Sequence, residues 1–274
     1  MMKRFLFTLA LLFACTLSFA RDYKVFGPQG GLAMNVTLPD GFDRSSDRCP
    51  MVILMHGIFS SKDFLPMPQL AKSLAKKGIA SIRFDFGGHW KSEGEMINMT
   101  IAKELEDARA IYDYVSSLSY VSDIAILGHS QGGVVASMFA GMLAAEGKSP
   151  AALVLLAPGT VIKEACQGGH FFGNRFDPAN PPEYIKCFKM FKLGREYMLS
   201  CQNLQIYETA AGFQGPVCIL HGDNDDTVPL WCSEKFLPIY NNPKFHLIEG
   251  ENHRFSKKTG EMLSIVSDFL SGIK

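Results

Sequence analysis

Three residues have the types and the order needed for covalent hydrolytic chemistry: Ser130, Asp225 and His253. Ser130 lies in Gly128-His129-Ser130-Gln131-Gly132, a Gly-x-Ser-x-Gly pattern. A serine hydroxyl is a poor nucleophile near neutral pH. It needs a base to take its proton, and the base needs a partner that fixes its tautomer. The pattern alone is weak, so its setting decides. An apolar run, Asp123–Leu127, precedes it, and a stretch carrying Val134, Val135 and Met138 follows. That is the strand–turn–helix setting of a nucleophile elbow, where flanking side chains would clash. His253 stands in Glu249-Gly-Glu-Asn-His253-Arg-Phe, after the last apolar run, where a loop would reach the same edge as Ser130. The loop His221 to Pro229 supplies Asp223, Asp225 and Asp226. Aspartate suits turns, which accounts for one or two of them. The spacing His-Gly-x-x-Asp-x-x-Val-Pro selects Asp225 over Asp226 as the acceptor for His253. A tetrahedral oxyanion needs two backbone donors. Gln131 N–H, after the nucleophile, and Ile58 N–H, after His56-Gly57, are the candidates.

These residues need a scaffold that brings loop ends together. Apolar runs at 51–55, 79–85, 123–127, 151–156, 217–220 and 245–248 each end at Gly, Pro or Asp. Continuous apolar runs imply burial on both faces, the mark of a parallel sheet between helices. Amphipathic stretches at 66–77, 100–118, 131–146, 230–240 and 259–273 supply the helices, with Thr100 as an N-cap. Tyr23–Phe26 and Leu32–Leu38 read as an opening hairpin, antiparallel to the rest. The alternation predicts an α/β fold with a doubly wound, mostly parallel sheet of eight strands. One segment, about 159–215, has no clean strand and is dense in Phe, Tyr and Pro. Some 55 residues is far beyond an ordinary connection, so it reads as a small cap inserted over the sheet's C-terminal edge.

Residues 1–20 stand apart. Lys3 and Arg4 precede an apolar run, Phe5–Phe19, and Ser18-Phe19-Ala20 offers small residues for cleavage. This predicts a secretory signal peptide, with the domain beginning at Arg21 and a secreted or periplasmic location. A lipid anchor on Cys15 is the lesser alternative, with Phe13 fitting it poorly. Lys plus Arg and Asp plus Glu both number 27. That balance argues against a nucleic-acid partner and gives no electrostatic reason to lie on an anionic membrane, and no stable membrane anchor is expected. Cys166, Cys187 and Cys201 fall in one stretch and could pair, with the pairing left open; Cys218 reads as a buried hydrophobe.

The motifs together resemble the α/β-hydrolase superfamily, and within it the bacterial cinnamoyl (feruloyl) esterases with an inserted cap. The residues that carry the resemblance include His56-Gly57, Asp85-Phe86-Gly87-Gly88-His89, Asn98-Met99-Thr100, Gly128 through Ala136, Leu156-Ala157-Pro158, Leu204 through Glu208, His221 through Val228, and His246 through Gly250. The resemblance implies Ser130 as nucleophile, His253 as base, Asp225 as acid, and a cap that holds the phenolic end of a hydroxycinnamoyl group. It implies Tyr197 and Glu164 as cap contacts. The loop departs from the family's Gly-His-Gly, because Trp90 follows Gly88-His89; Trp90 either lines the acyl pocket or packs on the surface. The expected activity is a serine carboxylesterase acting on a small-molecule ester, a hydroxycinnamate or small aryl ester, without metal or cofactor. Its rivals are a serine peptidase or monoacylglycerol lipase-like hydrolase with the same residues, and a non-catalytic binding protein on the same scaffold.

Overall fold

A computed structural model describes residues 24–272; the signal-peptide reading over 1–20 lies outside them. Seven strands form the central sheet: β1 (Met34–Thr37), β2 (Cys49–Met55), β3 (Ala80–Phe84), β4 (Val121–His129), β5 (Leu153–Leu156), β6 (Val217–Gly222) and β7 (Lys244–Ile248). Their spatial order is β7-β6-β5-β4-β2-β3-β1. All neighbours pair in parallel except β1, which runs antiparallel to β3 with Met34 opposite Phe84. The β-strands β2, β5 and β6 are buried almost throughout, as their unbroken apolar sequence requires.

The sheet has seven strands where the sequence suggested eight. The opening segment closes on itself instead, as a two-residue ribbon pairing Phe26-Gly27 with Gly30-Gly31. Pro28 lacks a donor and the surrounding glycines have no side chain to pack, so no longer strand forms there.

Among the described residues there are eight α-helices: α1 (Met67–Ala75), α2 (Ile101–Ser116), α3 (Gln131–Ala145), α4 (Ile162–Gln167), α5 (Arg195–Cys201), α6 (Ile206–Ala210), α7 (Trp231–Glu234) and α8 (Thr259–Ser271). One apolar cluster joins α2, α3 and the cap to one face; a second joins α1 and α8 to the other. Thr100 caps α2 by accepting from Lys103 N at 3.2 Å. The helix expected over 230–240 is only α7 followed by turns, because Pro238 disfavours helical backbone in the residue before it.

The segment 159–215 holds α4, α5 and α6 and, unlike the expectation, four short strands. His170–Phe171 pairs with Asn174–Arg175, and Tyr184–Cys187 pairs with Phe191–Gly194. These ribbons are short and mix buried with exposed residues, so they never present the continuous apolar run that marks a sheet strand in sequence.

Candidate active site

The chain crosses from one side of the sheet to the other between β3 and β4, so a crevice opens at the C-terminal ends of adjacent strands β2 and β4. Ile58 follows β2 and Ser130 follows β4, one on each side of that crevice. Asp225 and His253 follow β6 and β7.

Ser130 occupies a strained position, with φ 55° and ψ −124°. A non-glycine residue there is sterically costly and persists only where neighbours over-determine it. The neighbours are glycines for that reason. A Cβ on Gly128 would collide with the Gly132 carbonyl, and a Cβ on Gly132 with the carbonyls of Met55 and His56. A Cβ on Gly57 would sit 2.8 Å from Ser130 Cβ. Ser130 N–H donates to Leu156 O at 2.9 Å, which pins the turn to β5.

Ser130 Oγ lies 2.9 Å from His253 Nε2, and His253 Nδ1 lies 2.7 Å from Asp225 Oδ2. A carboxylate beside Nδ1 requires the proton there, leaving Nε2 free to accept from the hydroxyl. Asp225 Oδ1 accepts from Thr227 N at 2.9 Å and Val228 N at 2.8 Å. Burial works to raise the Asp225 carboxyl, but hydrogen bonds from His221 and His253, the His253 charge and the Val228 N–H outweigh it and hold the group well below the usual carboxylate range. His221 Nε2 lies 3.0 Å from Val228 O and 3.4 Å from Asp225 Oδ2, while Nδ1 lies 2.7 Å from Ser233 Oγ. Nε2 therefore carries the His221 proton. Asp226 stays outside this set and accepts from the Thr227 hydroxyl at 3.1 Å.

The base is held from behind as well. His129 Nε2 donates to the His253 carbonyl at 2.7 Å. Burial, with His253 beside it, pushes His129 down to about 3, so its ring stays neutral. His129 is the variable residue of the Gly-x-Ser-x-Gly pattern. His56 is likewise fixed: Nε2 accepts from Phe86 N at 3.2 Å and Nδ1 donates to Gly57 O at 2.8 Å, which shapes the turn that precedes Ile58.

Gln131 begins α3, so its N–H has no carbonyl to meet inside the helix. Its side chain is the feature that sequence reasoning missed. Gln131 Nε2 donates to both oxygens of Glu104 at 2.9 Å, and Gln131 Oε1 accepts from Tyr197 O–H at 2.7 Å. All three residues are buried. Burial pushes Glu104 well above the usual carboxylate range and Tyr197 well above the usual phenol range. The available signal was Glu104 itself, a charged residue on the apolar stripe of α2 with Ile101, Ala108, Ile111 and Val115.

The residues expected at the acyl group each have protein partners. The Tyr197 hydroxyl reaches the site only through Gln131. Glu164 is placed against Lys235, with Oε1 3.4 Å from its Nζ. Trp90 is half exposed and stacks edge-on against Phe64 at 4.7 Å, so surface packing is its observed role. His170, also in the cap, is exposed on the first ribbon. The six cysteines among the described residues are all buried and unpaired.

The family described as serine aminopeptidase, S33, matches residues 46–177, which include Ser130 but neither Asp225 nor His253. Among solved structures, Est1E from Butyrivibrio proteoclasticus with bound ferulic acid superposes with a TM-score of 0.83 at 30% identity, over 89% of this chain and 95% of that one. The Pyrococcus furiosus esterase Pf2001 shares the fold, with a TM-score of 0.63 at 21% identity, over 90% of this chain and 89% of that one. Among curated proteins, the lysophosphatidylserine lipase ABHD12 of Danio rerio is 27% identical over 81% of this chain and 58% of its own length. Human protein ABHD12B is 25% identical over 82% of this chain and 61% of its own length, so the chain spans about three-fifths of these relatives. With identity and coverage at that level to Est1E, on the same sheet, the chain belongs to the α/β-hydrolase superfamily and resembles its cinnamoyl and feruloyl esterases.

Proposed function

We propose that this protein is an exported serine carboxylesterase that cleaves hydroxycinnamate or small aryl esters through an acyl-enzyme. The observation that carries the reading is the continuous relay from Ser130 Oγ through His253 to Asp225, at 2.9 and 2.7 Å. His253 Nε2 takes the Ser130 proton as Oγ attacks the ester carbonyl. Ile58 N–H and Gln131 N–H meet the developing oxyanion. His253 then protonates the leaving alcohol and next activates a water that releases the acid. Asp225, held ionised, keeps His253 in the reactive tautomer and stabilises its charged form. The hydroxycinnamate choice is supported by the likeness to Est1E, whose structure holds ferulic acid. Export is supported by the basic-then-apolar pattern of residues 1–20.

A second reading, a lysophospholipid-type ester, is favoured by the likeness to ABHD12. The test is fluorophosphonate labelling of the wild type and Ser130→Ala, with turnover of methyl ferulate, a monoacylglycerol, a lysophospholipid and p-nitrophenyl acetate. Wild type labels and hydrolyses the acetate, with methyl ferulate as the preferred natural-type ester. Ser130→Ala keeps its melting temperature, loses the label, and loses turnover by a factor on the order of 10⁴ to 10⁶. More than a tenth of the activity remaining in Ser130→Ala would remove the mechanism. Preference for the lysophospholipid would move the substrate to the second reading.

A further inference from the structure

The tips of the two cap ribbons form a surface that the hydrolytic chemistry does not use. Phe188 is 64% exposed, Met190 69% and Phe172 40%. Phe172 and Phe188 share one face, with ring centroids 5.3 Å apart. Both rest on Phe59, at 5.4 and 5.7 Å, and Phe59 follows Ile58 in the loop after β2. The patch therefore rims the crevice. An exposed cluster of large apolar residues, unlike a single exposed one, marks an interaction surface.

Backbone geometry sharpens the point. The first ribbon turns through Phe172 and Gly173, both at positive φ (44° and 77°). A two-residue hairpin of that kind normally begins with Asn or Asp, which tolerate the conformation. The second ribbon turns through three residues, Phe188, Lys189 and Met190, the first two at positive φ (50° and 62°). Aromatic residues thus hold positions that turn chemistry would assign to small polar ones, and they point away from the core.

Within the two ribbons the charge has one sign, and the acids Asp177 and Glu183 stand outside them, at the ends away from the tips. Residues 168–176 carry Arg175 and no acid, and residues 184–193 carry Lys186, Lys189 and Lys192 and no acid. All four basic side chains are exposed. The balanced total charge of the chain conceals this local excess. Apolar tips flanked by lysines match the boundary between acyl chains and anionic headgroups. They do not suit a second copy of the chain, since a two-fold contact would set the lysines of one tip against those of the other.

We propose that the cap ribbons dock this protein on an anionic lipid surface, with Phe172, Phe188 and Met190 entering the headgroup–acyl boundary and Lys186, Lys189 and Lys192 facing the lipid anions. The contact is peripheral; among the described residues no helix is long and apolar enough to cross a membrane. Docking in this pose turns the crevice toward the lipid, a consequence that rests on the esterase reading, whereas docking itself is measured apart from turnover.

The experiment is vesicle co-sedimentation of the full chain with phosphatidylcholine alone and with phosphatidylcholine containing phosphatidylglycerol. Wild type binds the anionic vesicles and releases them at high salt. Phe188→Ser with Met190→Ser weakens binding about tenfold or more. Lys186→Gln, Lys189→Gln and Lys192→Gln together weaken it about a hundredfold. Both variants keep p-nitrophenyl acetate turnover, which shows that they fold. Equal binding to neutral and anionic vesicles, binding to neither, or variants that bind like wild type would overturn the proposal. So would a wild-type dimer that Phe188→Ser with Met190→Ser separates while vesicles stay unbound. A wild type that docks yet cleaves no ester would instead overturn the esterase reading.

Discussion

The loops at the end of the sheet and the cap above them are built by opposite rules. Each loop residue of the relay is fixed by backbone or buried partners: Ser130 by Leu156 O, Asp225 by two backbone N–H groups, His253 by His129. The cap is assembled from ribbons of two and four residues, and it carries exposed aromatics at its turns. Polar contacts that tie it to the rest of the fold include Tyr197 to Gln131, Tyr207 Oη to Cys232 O at 3.3 Å, and Lys235 Nζ to Glu164 Oε1 at 3.4 Å. The difference separates two tasks. Geometry for bond-breaking needs rigid placement on strand ends, whereas choosing and meeting a substrate is left to an insert with little sheet support.

The sharpest way to break this comparison is within a single loop. Asp225→Asn should lower kcat about 10⁴-fold by favouring the wrong His253 tautomer, while Asp226→Asn, one residue on, should change it less than about twofold. Steady-state kinetics on p-nitrophenyl acetate decide. The reverse ranking would mean that the loop is not rigid enough to tell adjacent acids apart.

Tyr197 tests whether cap and sheet end are independent. Its hydroxyl belongs to the cap, but it holds the side chain of Gln131, whose N–H lies at the start of α3, beside Ser130. Losing one such hydrogen bond is worth about 0.5–1.5 kcal/mol, so Tyr197→Phe should lower kcat roughly three- to tenfold. The loss should be equal for methyl ferulate, methyl cinnamate and p-nitrophenyl acetate, with KM little changed. A loss confined to ferulate would place the hydroxyl on the substrate and restore the cap contact expected from the family resemblance.

The smallest effect tests the rigid half's own limit. Asp107 accepts from Gly87 N at 2.7 Å, and burial raises its carboxyl to about 7. A raised carboxyl binds its proton more tightly in the folded state. Its stabilising contribution is therefore present below about 4 and lost as pH rises through about 7. Asp107→Asn cannot titrate, so its melting temperature should gain on wild type by about 5 °C between pH 5 and pH 8. Parallel melting curves for the two proteins would assign the proton elsewhere.

What the sequence disclosed follows the same division. The strands β2, β4, β5 and β6 were readable because burial on both faces leaves an uninterrupted apolar run. Ser130, Asp225 and His253 were readable because each ends a strand in a loop with its own spacing. The ribbons of the cap were not, because alternation over two to four residues is too short to register as a period. The partner of Tyr197 was also hidden. Gln131 and Glu104 lie 27 positions apart, and only the packing of α2 against α3 brings them together. A balanced count of charges, likewise, says nothing of where Lys186, Lys189 and Lys192 gather.

The bond from His129 to the His253 carbonyl changes how the motif itself should be understood. The residue before the nucleophile grips the backbone of the base, so two sites 124 positions apart in the chain share one anchor. When the sheet flexes, β4 carries Ser130 and His129 together, and His129 carries His253 with them. Proton donor and acceptor then travel as a single body, and the separation across which the proton hops is buffered against motions of the surrounding fold. The variable letter of Gly-x-Ser-x-Gly is, in this chain, a coupling rod.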